Sequence, residues 1–281
     1  VTADPELVRR LVAQALAEDV GRGDVTTSGT VAADARARGE LVAKQELVVA
    51  GLEVGLAAFR QLDDAVAWQP GARDGEIVAR GTVLGRLEGR ARALLTAERV
   101  ALNFLQRLSG IATLTHRFVE AAAGTRARIR DTRKTTPLLR ALEKEAVAMG
   151  GGVPHRFGLD SAVLVKDNHA RLAGSVGEAT RKALAAARGL EVEVEVEGLE
   201  QIEEALAAGA RLILLDNFTP AEVRAAVDLV RGRARLEASG GIRLESVRAY
   251  AEAGVDFIAV GALTHSAPAA DISFEVHPIR G

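Results

Sequence analysis

Arg133, Lys134, His155, Arg156 and Lys166 fall where apolar runs of the chain stop and polar, glycine-bearing loops begin. Guanidinium forks and ammonium point charges are the side chains that bind carboxylates and phosphates most strongly. The chain carries 36 Lys and Arg against 38 Asp and Glu, a formal net charge of −2, so its cations are concentrated locally rather than spread as a general basic field. Only five of the basic residues are lysines, and Lys134 and Lys166 both stand beside expected strand ends. The partner this implies is a small polyanion.

Acidic and glycine-rich residues close the other expected strands: Glu193, Glu195 and Glu197, then Asp216-Asn217, then Glu237 with Ser239-Gly240-Gly241, and finally Val260-Gly261-Ala262. Cations on one side and carboxylates on the other suit an anionic substrate on which positive charge develops. Backbone amides of the glycine-rich loops form a phosphate cradle if a helix begins behind them. The three glutamates alternate with valines and share one strand face. Facing outward they are merely solvated; facing inward they repel one another unless cations or Mg²⁺ compensate, and Glu195 is the one assigned to the site. Duller readings stand beside the others. Lys166 also fits a Schiff-base nucleophile or a structural ion pair. His155 also fits a satisfied loop histidine, and His169, beside Asp167 and Asn168, fits a structural hydrogen-bonding role. Gly150–Gly152 either ends a helix or lets backbone approach an anion. His116 and Trp68 read as packing residues.

Several classes are excluded by composition. The 281 residues, 48% apolar and 26% charged, suit one large globular domain with or without a smaller companion. Three per cent aromatics and the absence of a basic field argue against nucleic-acid binding. No apolar run approaches the roughly 20 residues of a spanning helix, and Asp4, Glu6, Arg9 and Arg10 leave no room for a signal core, so a soluble cytoplasmic protein is expected. The lack of cysteine removes thiolate catalysis, zinc-thiolate sites and iron–sulfur clusters together.

Two patterns divide the chain. A helix is expected from Pro5 to about Glu18, capped by Asp4. Turn-rich residues 19–24 follow, then β-like runs at 39–43, 47–49, 65–69 and 77–87, with a helix near 53–62. A long helical segment from Leu94 to about Ala123, interrupted at Ser109-Gly110, leads onward. From residue 127 short strands at 127–130, 162–166, 192–197, 212–215, 236–239 and 257–260 alternate with helices at 137–149, 175–187, 199–207, 220–230 and 244–253. This is the rhythm of a parallel sheet covered by helices. Six units fall short of eight, so the fold class is α/β: an incomplete, open α/β barrel with a smaller N-terminal α+β domain. Residues 1–108 form the small domain, with the tail 267–281 a candidate to return to it, and 109–266 the barrel. A doubly wound sheet is the rival, but no Gly-x-Gly-x-x-Gly follows the first strand.

Taken in order, the motifs resemble the quinolinate phosphoribosyltransferase family, the carboxylating nicotinate-nucleotide pyrophosphorylases. They are Arg-Asp-Thr-Arg-Lys-Thr at 130–135, Gly-Gly-Gly-Val-x-His-Arg at 150–156, Lys-Asp-Asn-His at 166–169, Glu-Val-Glu-Val-Glu at 193–197, Leu-Leu-Asp-Asn-Phe at 214–218, Ser-Gly-Gly-Ile at 239–242 and Val-Gly-Ala-Leu-Thr-His at 260–265. Glu-Asp-x-Gly-x-Gly-Asp-Val-Thr-Thr at 18–27 and Leu-Thr-Ala-Glu-Arg-x-x-Leu-Asn at 95–103 extend the likeness over nearly the whole chain. The resemblance implies reaction of quinolinate with phosphoribosyl pyrophosphate, giving nicotinate mononucleotide, pyrophosphate and CO₂ with Mg²⁺ and no organic cofactor. It implies that Thr132, Arg133, Lys134, His155, Arg156 and Lys166 line the substrate pocket. Lys134, Lys166, Glu195 and Asp216 would be catalytic. Glu195 and Asp216 would face the ribose and hold Mg²⁺, directly or through substrate or water. Ser239, Gly240, Gly241, Val260, Gly261 and Ala262 would hold the 5′-phosphate, and Arg99 would reach the site from the partner subunit of a homodimer. Transfer to nicotinate or another ring acid, a Schiff-base lyase built on Lys166 and a non-enzymatic metabolite-binding module are the alternatives. The number of cations favours a diacid.

Overall fold

The computed structural model describes residues 3–279 and divides the chain into two compact units. One holds the residues up to Leu114, Ala141–Gly150 and those from Ala267 onward; the other holds Thr115–Arg140 and Gly151–Ser266.

In the first unit, α1 (Pro5–Val20) begins as its sequence dictates, with Asp4 accepting the Glu6 amide. A second helix, α2 (Val25–Thr30), follows where only turns and strands were expected, because Asp24 caps it by accepting the Thr27 amide. Then come β1 (Arg36–Ala43), β2 (Leu47–Val48), α3 (Leu52–Leu62), β3 (Ala67–Pro70), β4 (Ile77–Val78) and β5 (Val83–Arg90). The single run expected at 77–87 is two strands, split by a turn that Gly81 makes at φ 90°. β1 lies antiparallel between β5 and the chain's last strand, Ile272–Pro278.

Helix α4 runs unbroken from Ala91 to Ala121, against the expected interruption at Ser109-Gly110. Ser109 Oγ donates to the Ala50 carbonyl and accepts the Ala50 amide, and a Cβ on Gly110 would meet the Pro268 oxygen at 2.1 Å. The pair is a point of close backbone approach, which in sequence looks like a helix stop. Helix α5 (Arg140–Met149) follows the short strand β6 (Arg128–Arg130), and all of it but Arg140 belongs to the first unit. There Glu143 is fully buried and receives Arg107 Nη2 at 2.9 Å.

The second unit is a six-stranded sheet. After β6 come β7 (Val163–Val165), α6 (Asp167–Ala173), α7 (Val176–Ala186), β8 (Val192–Val196), α8 (Leu199–Ala207), β9 (Leu212–Asp216), α9 (Pro220–Val230), β10 (Arg235–Ser239), α10 (Leu244–Ala253), β11 (Phe257–Ala259) and α11 (Ala262–His265). All neighbours are parallel, in the order β6-β11-β10-β9-β8-β7. Each strand from β7 to β11 pairs with the next and β11 pairs with β6, which is barrel winding with one seam left open between β6 and β7. A doubly wound sheet would reverse direction midway, so that rival is set aside. Helix α6 is an addition to the expected elements, since Asp167–His169 begin a helix instead of a loop.

The period of two along each strand decides what faces inward. Val192, Val194 and Val196 of β8 are at most 7% exposed, each contributing about 1.5–3 kcal/mol by burial, and the alternate positions turn Glu193 and Glu195 to the opposite face. Register then sets Glu193 beside Leu164, Glu195 beside Leu214, Leu214 beside Glu237, Asp216 beside Ser239 and Arg130 beside Ala259. Among the described residues no helix is long and apolar enough to cross a membrane.

Candidate active site

The carboxyl ends of these strands enclose a cavity of about 190 Å³. Arg133, Lys134, His155, Arg156 and Lys166 border it with Thr132 and Ser239, and the carboxylates of Glu195, Asp216 and Glu237 complete its polar wall. Groups from six separate segments thus meet at one mouth.

On the cationic side two guanidiniums are crowded. Burial lowers the pKa of Arg156 and the charge of Arg133 lowers it further, while Glu193 acts in the opposite sense. Arg133 Nε is buried with no hydrogen-bond partner among the described residues. A buried orphan donor beside a like charge is a cost that a bound anion removes, and two neighbouring guanidiniums suit two carboxylates. Arg140 holds the loops that carry them. Its guanidinium donates to Thr135 Oγ1 at 3.0 Å, the Phe157 carbonyl at 3.1 Å and the Arg133 carbonyl at 3.4 Å.

On the acidic side, Lys166 Nζ lies 2.6 Å from Glu195 Oε2. Burial raises the pKa of Asp216, with Glu195 and Glu197 adding to the rise and Lys166 and Lys134 opposing it. Asn217 Nδ2 donates to Asp216 Oδ2 at 2.8 Å. Glu197 lies beyond the end of β8 and is exposed, so of the three alternating glutamates it is the solvated one. Of the two inward ones, Glu195 borders the cavity and Glu193 lies below it.

Glu237 and His155 link the cavity wall to a buried charge network beneath it. Arg130 Nη1 donates to Glu237 Oε2 at 2.7 Å and its guanidinium stacks 3.9 Å over the Phe257 ring. His155 Nε2 lies 2.7 Å from Glu193 Oε2 and 3.6 Å from Glu237 Oε1. Burial pushes the carboxyl of Glu193 up to about 7, with Arg130 opposing, and that of Glu237 up to about 7, with Glu193 adding to it. His155, Glu193 and Glu237 are the one group of metal-ligating side chains close enough to share an ion among the described residues, but Arg130 already supplies a cation to it. The available signal was parity: Glu193 is two residues from Glu195, and Glu237 two from Ser239.

The remaining expected residues are placed as follows. Gly240 and Gly241 adopt φ 103° and 60°, and a Cβ on Gly240 would fall 2.2 Å from Asn217 Oδ1. Gly261 precedes α11, and a Cβ there would crowd His265 and Lys134 at 3.1 and 3.2 Å. Val260 is buried and its amide donates to the Arg130 carbonyl, so that amide is committed to the sheet; Ala262 opens α11. Arg99 is exposed on α4 in the first unit and does not border the cavity. His169 accepts the Lys166 amide through Nδ1 at 2.9 Å, a structural bond. A larger cavity of about 500 Å³ lies in the first unit, but its wall mixes apolar residues with Arg9, Arg60, Glu53 and Glu145 and gathers no excess of cations.

Known proteins resemble this chain over nearly its whole length. The family model for the quinolinate phosphoribosyl transferase C-terminal domain matches residues 111–275, and that for the N-terminal domain matches residues 24–109. The chain is 44% identical over 270 residues to a probable carboxylating nicotinate-nucleotide pyrophosphorylase of Bacillus subtilis, covering 96% of this chain and 93% of that protein. It is 44% identical over 277 residues to the carboxylating nicotinate-nucleotide pyrophosphorylase of Mycobacterium leprae, covering 96% and 98%. The crystal structure of NadC from Streptococcus pyogenes superposes with a TM-score of 0.95 at 40% identity, covering 100% of both chains.

Proposed function

The chain belongs to the quinolinate phosphoribosyltransferase family and serves NAD biosynthesis as a carboxylating nicotinate-nucleotide pyrophosphorylase; from that premise we propose how its cavity carries the reaction. Quinolinate binds with its two carboxylates against Arg133, Arg156 and Lys166, with Thr132 and His155 at the same wall. The observation that carries this assignment is the Arg133–Arg156 pair, one member with an unpartnered buried Nε and the other with a depressed pKa. One ring carboxylate would leave part of that charge uncompensated, so the diacid is favoured over nicotinate.

The ribose of phosphoribosyl pyrophosphate lies on the acidic side. As the bond from C1′ to the pyrophosphate oxygen breaks, positive charge gathers at C1′, and Glu195 and Asp216 stabilise it by Coulomb attraction. The ring nitrogen of quinolinate then bonds to C1′. The nitrogen becomes cationic, so when the adjacent carboxylate departs as CO₂ its electron pair remains on the ring carbon beside a positive charge and is quenched by a proton. Residues of the chain orient the two reactants and hold charge; no covalent enzyme intermediate is called for. Lys134 and Lys166 face the departing pyrophosphate. Ser239, Gly240, Gly241, Gly261 and Ala262 take the 5′-phosphate.

Glu195 and Asp216 are a fitting pair for Mg²⁺, since burial and mutual repulsion raise the Asp216 pKa and a hard cation bound by one or two carboxylates plus phosphates relieves both. When bound, Mg²⁺ neutralises charge on the pyrophosphate. Arg99 belongs to the same proposal as a residue that completes the site of a partner subunit in a homodimer, and the cytoplasmic location expected from the sequence is kept with it. Lys166 Nζ is engaged by Glu195 Oε2 at 2.6 Å, which leaves the amine poorly placed to attack a carbonyl and disfavours the Schiff-base reading.

The test is an assay of CO₂ and nicotinate mononucleotide from quinolinate and phosphoribosyl pyrophosphate. Equal amounts of both products are expected. Pyrophosphate release with nicotinate and none with quinolinate would reject the diacid assignment.

A further inference from the structure

His155 sits between two fixed hydrogen-bonding groups. Its Nδ1 accepts the backbone amide of Arg156 at 2.8 Å, and its Nε2 lies 2.7 Å from Glu193 Oε2. The first contact decides the second. An N–H already points at Nδ1, so that atom carries no proton and the ring proton resides on Nε2, which donates to Glu193. The backbone amide of His155 itself donates to Asp131 Oδ1 at 2.7 Å, fixing the loop from which the ring projects. Around the imidazole stand Glu193 from β8, Glu237 from β10, Asp131 following β6 and Arg156 of its own loop, with Arg130 of β6 bound to Glu237.

Three acids so near an imidazole ordinarily favour its protonated form. Here a second ring proton, placed on Nδ1, would face the Arg156 N–H donor to donor. The carboxylate cluster is instead compensated by Arg130, which is 2.7 Å from Glu237.

We propose that Glu193 is a positioning residue of the reaction, holding His155 as the neutral Nε2–H tautomer at the edge of the substrate cavity. The positive charge this chain offers to the diacid then comes from Arg133, Arg156 and Lys166 and not from the imidazole, and His155 contributes shape and a fixed ring orientation. The importance of this for turnover rests on the quinolinate site proposed above, while the tautomer itself does not.

The test is ¹⁵N NMR of the full-length protein labelled at histidine, with the His155 resonances assigned by a His155→Asn variant. Wild type is expected to show a neutral Nε2–H imidazole from pH 6 to 8. Glu193→Gln, whose carbonyl oxygen still accepts, should keep that signature and raise the quinolinate KM less than threefold. Glu193→Ala, which removes the Nε2 anchor and so frees the ring to turn away from the Arg156 amide, should give mixed tautomers and raise the quinolinate KM about tenfold with kcat within about twofold. If Glu193→Ala does not fold, the wild-type and Glu193→Gln spectra still decide. An imidazolium or an Nδ1–H tautomer in wild type overturns the proposal, as does an Ala variant with unchanged spectrum and KM. A wild-type Nε2–H signature without quinolinate turnover would strike the substrate assignment and leave the tautomer standing.

Discussion

Lys166 Nζ and Glu195 Oε2 are 2.6 Å apart, with the lysine side chain 48% exposed and the glutamate 7% exposed, so a half-solvated cation rests on a buried anion at the boundary between the two halves of the site. In the proposed reaction the carboxylates of quinolinate and the pyrophosphate of the second substrate compete for that ammonium, which would leave Glu195 facing the ribose.

Glu195→Gln should therefore lower kcat by about 100-fold and change KM for either substrate less than about fivefold, because the lost charge acts on the transition state. Steady-state kinetics at saturating Mg²⁺ decide this; a variant with wild-type kcat contradicts it.

In the proposed site the repulsion between Arg133 and Arg156 is relieved when quinolinate binds. Arg156→Ala should melt no lower than wild type without ligand, yet lose most of the thermal stabilisation that quinolinate gives wild type. Thermal scans with and without quinolinate test it, and an equal shift in both proteins would be the adverse result.

Leu138 occupies the left-handed region at φ 68° between Pro137 and Leu139, the third position of a turn closed by the Leu139 amide on the Thr136 carbonyl. Proline at the second position and a positive φ at the third describe a type II turn, which favours glycine there. Leu138 is also 77% exposed, so little packing is lost by removing it. Leu138→Gly is expected to stabilise by about 0.5–1 kcal/mol, net of the added freedom of the unfolded chain. A lowered denaturation midpoint would contradict the turn assignment.

Burial holds Glu237 at about 7, above its ordinary 4.5. Between those values the folded protein binds more protons than the unfolded one, so this group's contribution to stability declines as pH rises from about 4.5 to 7. Glu237→Gln removes the titration. The melting temperature of the variant minus that of wild type should grow more positive from pH 5 to pH 8, and a difference that is flat or falls with pH would refute the raised pKa.

Much of the site was legible because it lies where strands end. Lys166, Glu195, Asp216 and Ser239 follow or close apolar runs, and a barrel brings such ends together whatever their separation in sequence. Corrections arose where local signals have two meanings. Ser109-Gly110 looks like a helix stop and is a contact between backbones inside one helix. Asp24 looks like part of a turn and caps α2. Glu193 and Glu237 were visible as charges in apolar strands, but their depth depends on register: Glu237 beside Leu214, and Leu214 beside Glu195, is a fact of strand pairing that one segment does not contain. The membership of α5 in the first unit is likewise a tertiary matter, since its pattern is that of any amphipathic helix between two strands.

The convergence of cations on a diacid is tested most directly by the ratio of kcat/KM for quinolinate to that for nicotinate, measured in wild type and in Arg156→Ala. The ratio should exceed about 100 in wild type and collapse by at least about tenfold in the variant, as a carboxylate loses its guanidinium. An unchanged ratio would mean that Arg156 does not read the second carboxylate.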